Sequence, residues 1–310
     1  MGETVLVTGC SSGIGRATAL RFREAGWTVY AAARDTDADA VRTLEDRDCR
    51  VVELDVTDEA SVETAVGRVF EEEGGLECLV NNAGYGQFGA VEDVPMEKVR
   101  RQFDVNTYGP IRLMRAVLPR MRERGRGTII NVTAGFGGLT VPGLGIYTGS
   151  KFALESVSDA LRQETADTGV NVVCVQPGLV ATPFYDRALE EVESVEHTPA
   201  YADLYRALEE VESVEHTPAY ADLYRALESI GVVREGGPGI NRPERVAETI
   251  VAAATADRPD PTYRVGALAA FGTYAAAVVR GRLREAASRV GLRIASNGAV
   301  RRLLRRRRRE

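Results

Sequence analysis

Short apolar, β-branched runs alternate with longer stretches of helical spacing along most of the chain, and this alternation constrains the fold more than any other feature. The runs are Thr4 to Thr8, Thr28 to Ala33, Val51 to Leu54, Cys78 to Asn81, Thr128 to Val132, Val170 to Gln176 and Thr262 to Val265. Between them, stretches such as Gly13 to Ala25, Ser61 to Glu73 and Phe152 to Thr165 repeat apolar residues at helical spacing. Strands separated by helices predict parallel pairing, with right-handed crossovers that wind helices onto both faces. The expected class is α/β: a doubly wound, Rossmann-type parallel sheet of about seven strands with helices on both faces.

With 310 residues, 44% hydrophobic and 27% charged, the chain has the composition of a globular protein rather than a disordered or disulfide-stapled one. One core can organise residues 1–266 as a single domain, carrying a substrate-loop insertion at 183–235 and followed by a helical, Arg-rich extension at 267–310. Within the insertion, residues 187–205 recur letter for letter as 206–224. Two identical copies are too few for a solenoid, so they read as a recent duplication in a tolerant surface segment with one copy dispensable. His197 and His216 are copies of one position, and no partner at ligand spacing lies outside the repeat, so no metal is expected.

The formal charge is -6, yet seven arginines fall within the last ten residues, and the rest of the chain carries 32 basic against 44 acidic side chains. An acidic body argues against nucleic acid as a partner. The basic C-terminal stretch suits either weak peripheral contact with an anionic membrane or a solvated tail. The longest weakly polar run, Val265 to Val279, is about 15 residues, short of the roughly 20 that span a bilayer. Four single cysteines without a C-x-x-C pair, and a first strand beginning at Thr4, point to reduced thiols and a cytoplasmic location.

Chemistry concentrates at three places. After the first run comes Thr8-Gly9-Cys10-Ser11-Ser12-Gly13-Ile14-Gly15, a glycine turn that lets a helix N-terminus approach a pyrophosphate. The second run ends in Arg34, where a cofactor with a free ribose diol calls for an acid; arginine favours NADP(H) over NAD(H). Asp35 follows at once, but neighbouring strand residues face opposite ways. Tyr147 and Lys151 stand at i and i+4 on one helix, where an ammonium is expected to lower the phenol's pKa toward neutrality for proton exchange with a hydroxyl or carbonyl.

These motifs, with Asn81-Asn82-Ala83-Gly84, Asn106 and Pro177-Gly178, resemble the short-chain dehydrogenase/reductase family closely over about residues 3–186. Among its members the chain looks most like the NADP-preferring 17β-hydroxysteroid and retinol dehydrogenases. The resemblance implies that Tyr147 is the acid or base, that Lys151 also bonds the nicotinamide ribose, and that Asn106 supports a relay water. It further implies a cofactor path along Gly9, Ser11, Ser12, Gly13, Ile14 and Gly15, with Arg34 and the two serines at the extra phosphate. Asp55 would hold the adenine, Asn82, Ala83, Gly84, Pro177 and Gly178 would line the path, and Thr182 would bind the carboxamide. A homodimer or homotetramer, formed through helices near Thr107 to Arg124 and Gly149 to Ala166, is implied as well.

One position departs from the family. Thirteen residues before Tyr147, where members carry a serine that bonds the substrate oxygen, stands Ala134, flanked by Thr133 and Gly135. Three outcomes are open: Thr133 stands in as donor, the enzyme works without one, or the chain is an NADP(H)-binding sensor or scaffold with little turnover. Intact Asn106, Tyr147 and Lys151 favour an NADP(H)-dependent oxidoreductase. Its small-molecule substrate, a secondary alcohol or a ketone or aldehyde of apolar character, would meet a wall formed by Phe136 to Ile146 and the segment after Thr182.

Overall fold

All five residues of β1 (Thr4–Thr8) are buried, which requires strands on both sides of it and helices above and below. In the computed structural model, which describes residues 2–135, 141–209, 241–266 and 269, β1 pairs in parallel with β2 (Thr28–Ala33) and β4 (Cys78–Asn81). β3 (Arg50–Glu53), β5 (Gly127–Val132), β6 (Val170–Pro177) and β7 (Thr262–Val265) complete a parallel sheet of order β3-β2-β1-β4-β5-β6-β7. Each expected run is a strand, its ends moved by at most one residue.

Alternation along the strands divides the core. Val5, Val7 and Ile130 face α1 (Gly13–Glu24) and α9 (Pro243–Thr255), packing with Phe22, Val246 and Ile250. Leu6, Leu79 and Ile129 face the other way, toward α3 (Glu59–Glu73), α5 (Gly109–Arg124) and α6 (Gly145–Glu164), through Val62, Leu113 and Leu154. Local signals set the helix ends. Asp58 caps α3 by accepting from the Ala60 N–H at 3.0 Å, and glycines with positive φ end α3 and α5. Shorter helices, α2 (Asp39–Glu45), α4 (Met96–Phe103), α7 (Phe184–Glu193) and α8 (Ala202–Glu209), sit between these.

Because β2 and β3 lie on one side of β1 and β4 to β7 on the other, the chain reverses direction between β1 and β4, and a crevice opens there beyond the carboxyl ends of the strands. The first copy of the duplicated segment helps to roof it. That copy forms most of α7, a 3₁₀ turn (Pro199–Tyr201) and the start of α8, and buries Ala188, Val192 and Tyr205 against Phe88, Ala134 and Tyr147. Asp93 fastens it, accepting from Thr198 Oγ1 at 2.5 Å and Tyr205 Oη at 2.8 Å. This copy is therefore a packed wall rather than a surface loop, because its apolar residues recur at helical spacing and need cover. Residues 210–224 of the second copy, and the extension at 267–310 except Ala269, lie outside the described residues. No helix among the described residues is long and apolar enough to cross a membrane.

Candidate active site

The crevice deepens into a cleft of about 910 Å³. Its floor is the turn after β1, where Gly9 and Gly13 adopt φ of +73° and +54°. A Cβ on Gly9 would lie 2.9 Å from the Ala83 Cα, and one on Gly13 2.9 Å from the Thr182 Cγ2. Thr8 Oγ1 accepts from the N–H groups of Asn82 and Ala83, each at 3.0 Å, and Asn82 Nδ2 donates to the Thr8 carbonyl at 2.9 Å. Asn82 thus braces the glycine turn, a contact that spacing alone does not reveal. Ser12 precedes α1 without a side-chain cap, so the helix dipole and first N–H groups are left to an anion. These features fit a dinucleotide pyrophosphate.

The cofactor-side candidates all line the cleft except Gly15, which packs behind the turn against Gly9 and Asn82. Arg34 lines it at the end of β2. Asp35 does not; its Oδ1 accepts from the Asp37 N–H at 3.0 Å. Asp55 is partly buried, which opposes its charge, yet two hydrogen bonds from Thr57 and the nearby Arg34 and Arg101 hold its carboxyl below the usual range.

At the other end stand Tyr147 and Lys151, 7% and 5% exposed, one turn apart on α6. Lys151 Nζ donates to the Val132 carbonyl at 3.0 Å. Asn106 sits in a π-helical turn (Asp104–Tyr108) between α4 and α5; its Nδ2 donates to the Tyr85 carbonyl at 3.0 Å and to Ser150 Oγ at 3.2 Å. Gly84 lets these groups converge: a Cβ there would lie 2.9 Å from Asn106 Oδ1 and 3.4 Å from Lys151 Nζ.

The Tyr147 expectation needs correction. Burial pushes the Tyr147 phenol well above its usual range, and Lys151 does not offset this. Lys151 itself is pushed down to about 8 by burial, against the opposing charge of Glu155. Each group sheds water without a hydrogen bond to the other, so desolvation dominates both shifts. Thr133 lines the cleft, and its hydroxyl donates to the Val175 carbonyl at 3.4 Å and meets the Glu155 carboxyl group.

The substrate side is apolar. Ala134, Leu144 and Leu204 pack with Tyr147, whose ring centroid lies 5.8 Å from that of Phe88 and 5.4 Å from that of Phe184. Val141, partly buried, packs here too; residues 136–140 of the expected wall lie outside the described residues. Tyr85 and Phe88 were not singled out by sequence, since loop residues carry no periodic signal. The Tyr85 hydroxyl is buried without a partner, and burial pushes it up to about 12. His197 stacks on Tyr205 at 3.6 Å, and no group of three or more metal-binding side chains occurs among the described residues.

A family model described as short chain dehydrogenase matches residues 3–193. The 3-ketodihydrosphingosine reductase of Bacteroides thetaiotaomicron is 38% identical over 184 residues, which is 59% of this chain and 66% of that protein. The mouse 17-beta-hydroxysteroid dehydrogenase type 1 is 40% identical over 194 residues, 59% of this chain and 56% of that protein. The chain thus matches somewhat less than two thirds of each of these relatives. A solved short-chain dehydrogenase from Streptomyces avermitilis superposes with a TM-score of 0.68 at 33% identity, covering 88% of this chain and 91% of that one.

Proposed function

The chain belongs to the short-chain dehydrogenase family of oxidoreductases, and from that premise we propose that it interconverts a secondary alcohol and a ketone or aldehyde on an apolar small molecule with NADP(H). The observation that carries this reading is a cleft lined by Tyr147 and Lys151, with buried Asn106 packed beside Lys151 at Gly84, whose other end is an uncapped helix N-terminus. Bound nicotinamide dinucleotide supplies or accepts the hydride.

In reduction, Tyr147 Oη gives its proton to the substrate oxygen, and its raised pKa keeps that proton in place at neutral pH. With the dinucleotide bound, the Lys151 ammonium would hold the nicotinamide ribose. Asn106 holds the Tyr85 backbone and orders the end of the proton path. The aromatic wall of Phe88, Phe184 and Tyr185 excludes water and accepts an apolar substrate. The names of the two relatives, one a ketone reductase and one a hydroxysteroid dehydrogenase, support keto–hydroxy chemistry. Pairing of α5 and α6 faces into a homodimer or homotetramer, in the cytoplasm, belongs to the same reading.

Arg34 lining the cleft while Asp35 is turned to Asp37 supports NADP(H) rather than NAD(H). Replacing Arg34 by Asp is expected to weaken NADPH binding by about tenfold or more and to leave NADH binding equal or tighter, as read by nucleotide fluorescence titration. Equal affinities of the wild type for the two nucleotides would contradict the assignment.

A further inference from the structure

Part of the cleft wall carries cations that take no part in the mechanism. From Phe184, whose ring centroid lies 5.4 Å from that of Tyr147, α7 places Arg187 one turn further along the same helix face, also lining the cleft. The loop after β4 meets this end of α7 closely, since a Cβ on Gly86 would lie 2.9 Å from the Phe184 ring. Tyr85 in that loop lines the cleft, and the guanidinium of Arg101 on α4 lies 5.6 Å from the centre of its ring. The backbone of Tyr85 is firmly held: its carbonyl accepts from Gln102 Nε2 at 2.8 Å and Asn106 Nδ2 at 3.0 Å, and its N–H donates to Asn106 Oδ1 at 3.1 Å. Its hydroxyl has no hydrogen-bond partner, and a phenol fixed in a cleft with its oxygen unsatisfied calls for one.

Neither Arg101 nor Arg187 belongs to an ion pair among the described residues. The acids nearby are mostly taken: Glu191 on α7 pairs with Lys98 on α4 at 2.5 Å, which also ties the two helices together, and Asp104 pairs with Arg112 at 2.8 Å. Glu190 is left in this wall against Arg100, Arg101 and Arg187. In a chain whose body is acidic, that surplus reverses the local sign and draws in anions. The phosphates of the nucleotide already have the α1 N-terminus and Arg34. Resting on the proposed function, we infer that Tyr85, Arg101 and Arg187 form a subsite for an anionic group, a carboxylate or phosphate, at the far end of the substrate's apolar chain. The arginines offer forked N–H donors and Tyr85 Oη a further one. The step of 5.4 Å from Tyr147 to Phe184, and about 5 Å more for one turn of α7, put that anion roughly 10 Å from the reacting carbonyl.

The probes are 9-oxodecanoate, whose carbonyl and carboxylate lie about 10 Å apart when extended, its methyl ester, and the phosphate monoester of matching length, each reduced with NADPH. Wild type is expected to show a kcat/KM for the acid about tenfold or more above that for the ester, most of it in KM. A preference between carboxylate and phosphate identifies the anion, and either one upholds the subsite. Arg101→Gln with Arg187→Gln brings the acid-to-ester ratio to within about threefold of one, lysine at both positions retains most of it, and Tyr85→Phe lowers it severalfold. Both arginines are exposed on helices, so these changes spare the core. A wild-type ratio of one or less, or a ratio untouched in the double variant, overturns the inference. Because Arg101 also favours the Asp55 charge, NADPH affinity is titrated in the same proteins. Loss of that affinity with the ratio unchanged would assign the arginines to the nucleotide and overturn the subsite. Should no ketone turn over, the oxidoreductase reading fails by itself, and calorimetric titration of acid and ester into NADP⁺-saturated protein decides the subsite. Tighter binding of the acid, lost in the double variant, upholds it, and equal binding overturns it.

Discussion

Tyr147→Phe is expected to lower NADPH-dependent ketone reduction by about 10²–10⁴-fold while NADPH affinity is largely retained. The phenylalanine keeps the ring contacts to Phe88 and Phe184, so the aromatic wall and the fold persist and only the hydroxyl is lost. That hydroxyl has no hydrogen-bond partner among the described residues, and burial keeps it protonated. The sign of the pH dependence follows. A phenol with a raised pKa holds its proton through neutral pH, so reduction should be flat there. Alcohol oxidation needs the phenolate and should climb as pH rises, until loss of the Lys151 proton near pH 8 weakens the ribose contact. Absorbance decay of NADPH across pH 6 to 9, in both proteins, reads these effects. A variant as active as the wild type would remove Tyr147 from the mechanism.

The second large effect runs the other way. Ala134→Ser is expected to raise reductive turnover by up to about 10²-fold, since a single positioned donor to a developing oxyanion is worth that much. Backbone bonds from the Thr133 N–H to the Val175 carbonyl at 2.9 Å and from the Gly135 N–H to the Pro177 carbonyl at 2.6 Å hold residue 134 in the wall of the cleft, in one buried cluster with Tyr147. A serine hydroxyl there adds one oxygen and little volume. Thr133 is not free to supply the same donor, because its hydroxyl faces Val175 and Glu155. Steady-state kinetics on one ketone decides between them. A gain in kcat with little change in KM fits a donor that acts in the transition state. No gain in Ala134→Ser, together with near-complete loss in Thr133→Val, would make Thr133 the donor after all.

Much of this was legible in the residues. β1 to β7 were marked by apolar runs whose burial on both faces leaves a continuous signal, and the glycines at 9 and 13 by a turn that few other residues can adopt. Tyr147 and Lys151 were legible because helical spacing puts them on one face. What was not legible depends on surroundings that spacing does not encode. The pair shares a cleft without a hydrogen bond between its members, so burial, not the neighbouring ammonium, governs the Tyr147 phenol. Thr133 looked like a substitute donor because strand alternation says which face a side chain takes but not which partner claims its hydroxyl. Glu155 and Gln176 are far apart in sequence and meet only when α6 packs across β6. The first copy of the duplicated segment read as surface because repetition hides how far Ala188 and Val192 are buried.

The central claim is that the cleft sets a nicotinamide opposite the Tyr147 hydroxyl for hydride exchange, and isotope transfer tests it most directly. NADPH carrying deuterium at the reactive nicotinamide carbon is incubated with the protein and a panel of apolar ketones, and the products are analysed by mass. The account predicts one deuterium on the new carbinol carbon with wild type and almost none with Tyr147→Phe. Tight NADPH binding with no deuterium delivered to any ketone would contradict it, and would leave a protein that senses or stores the nucleotide.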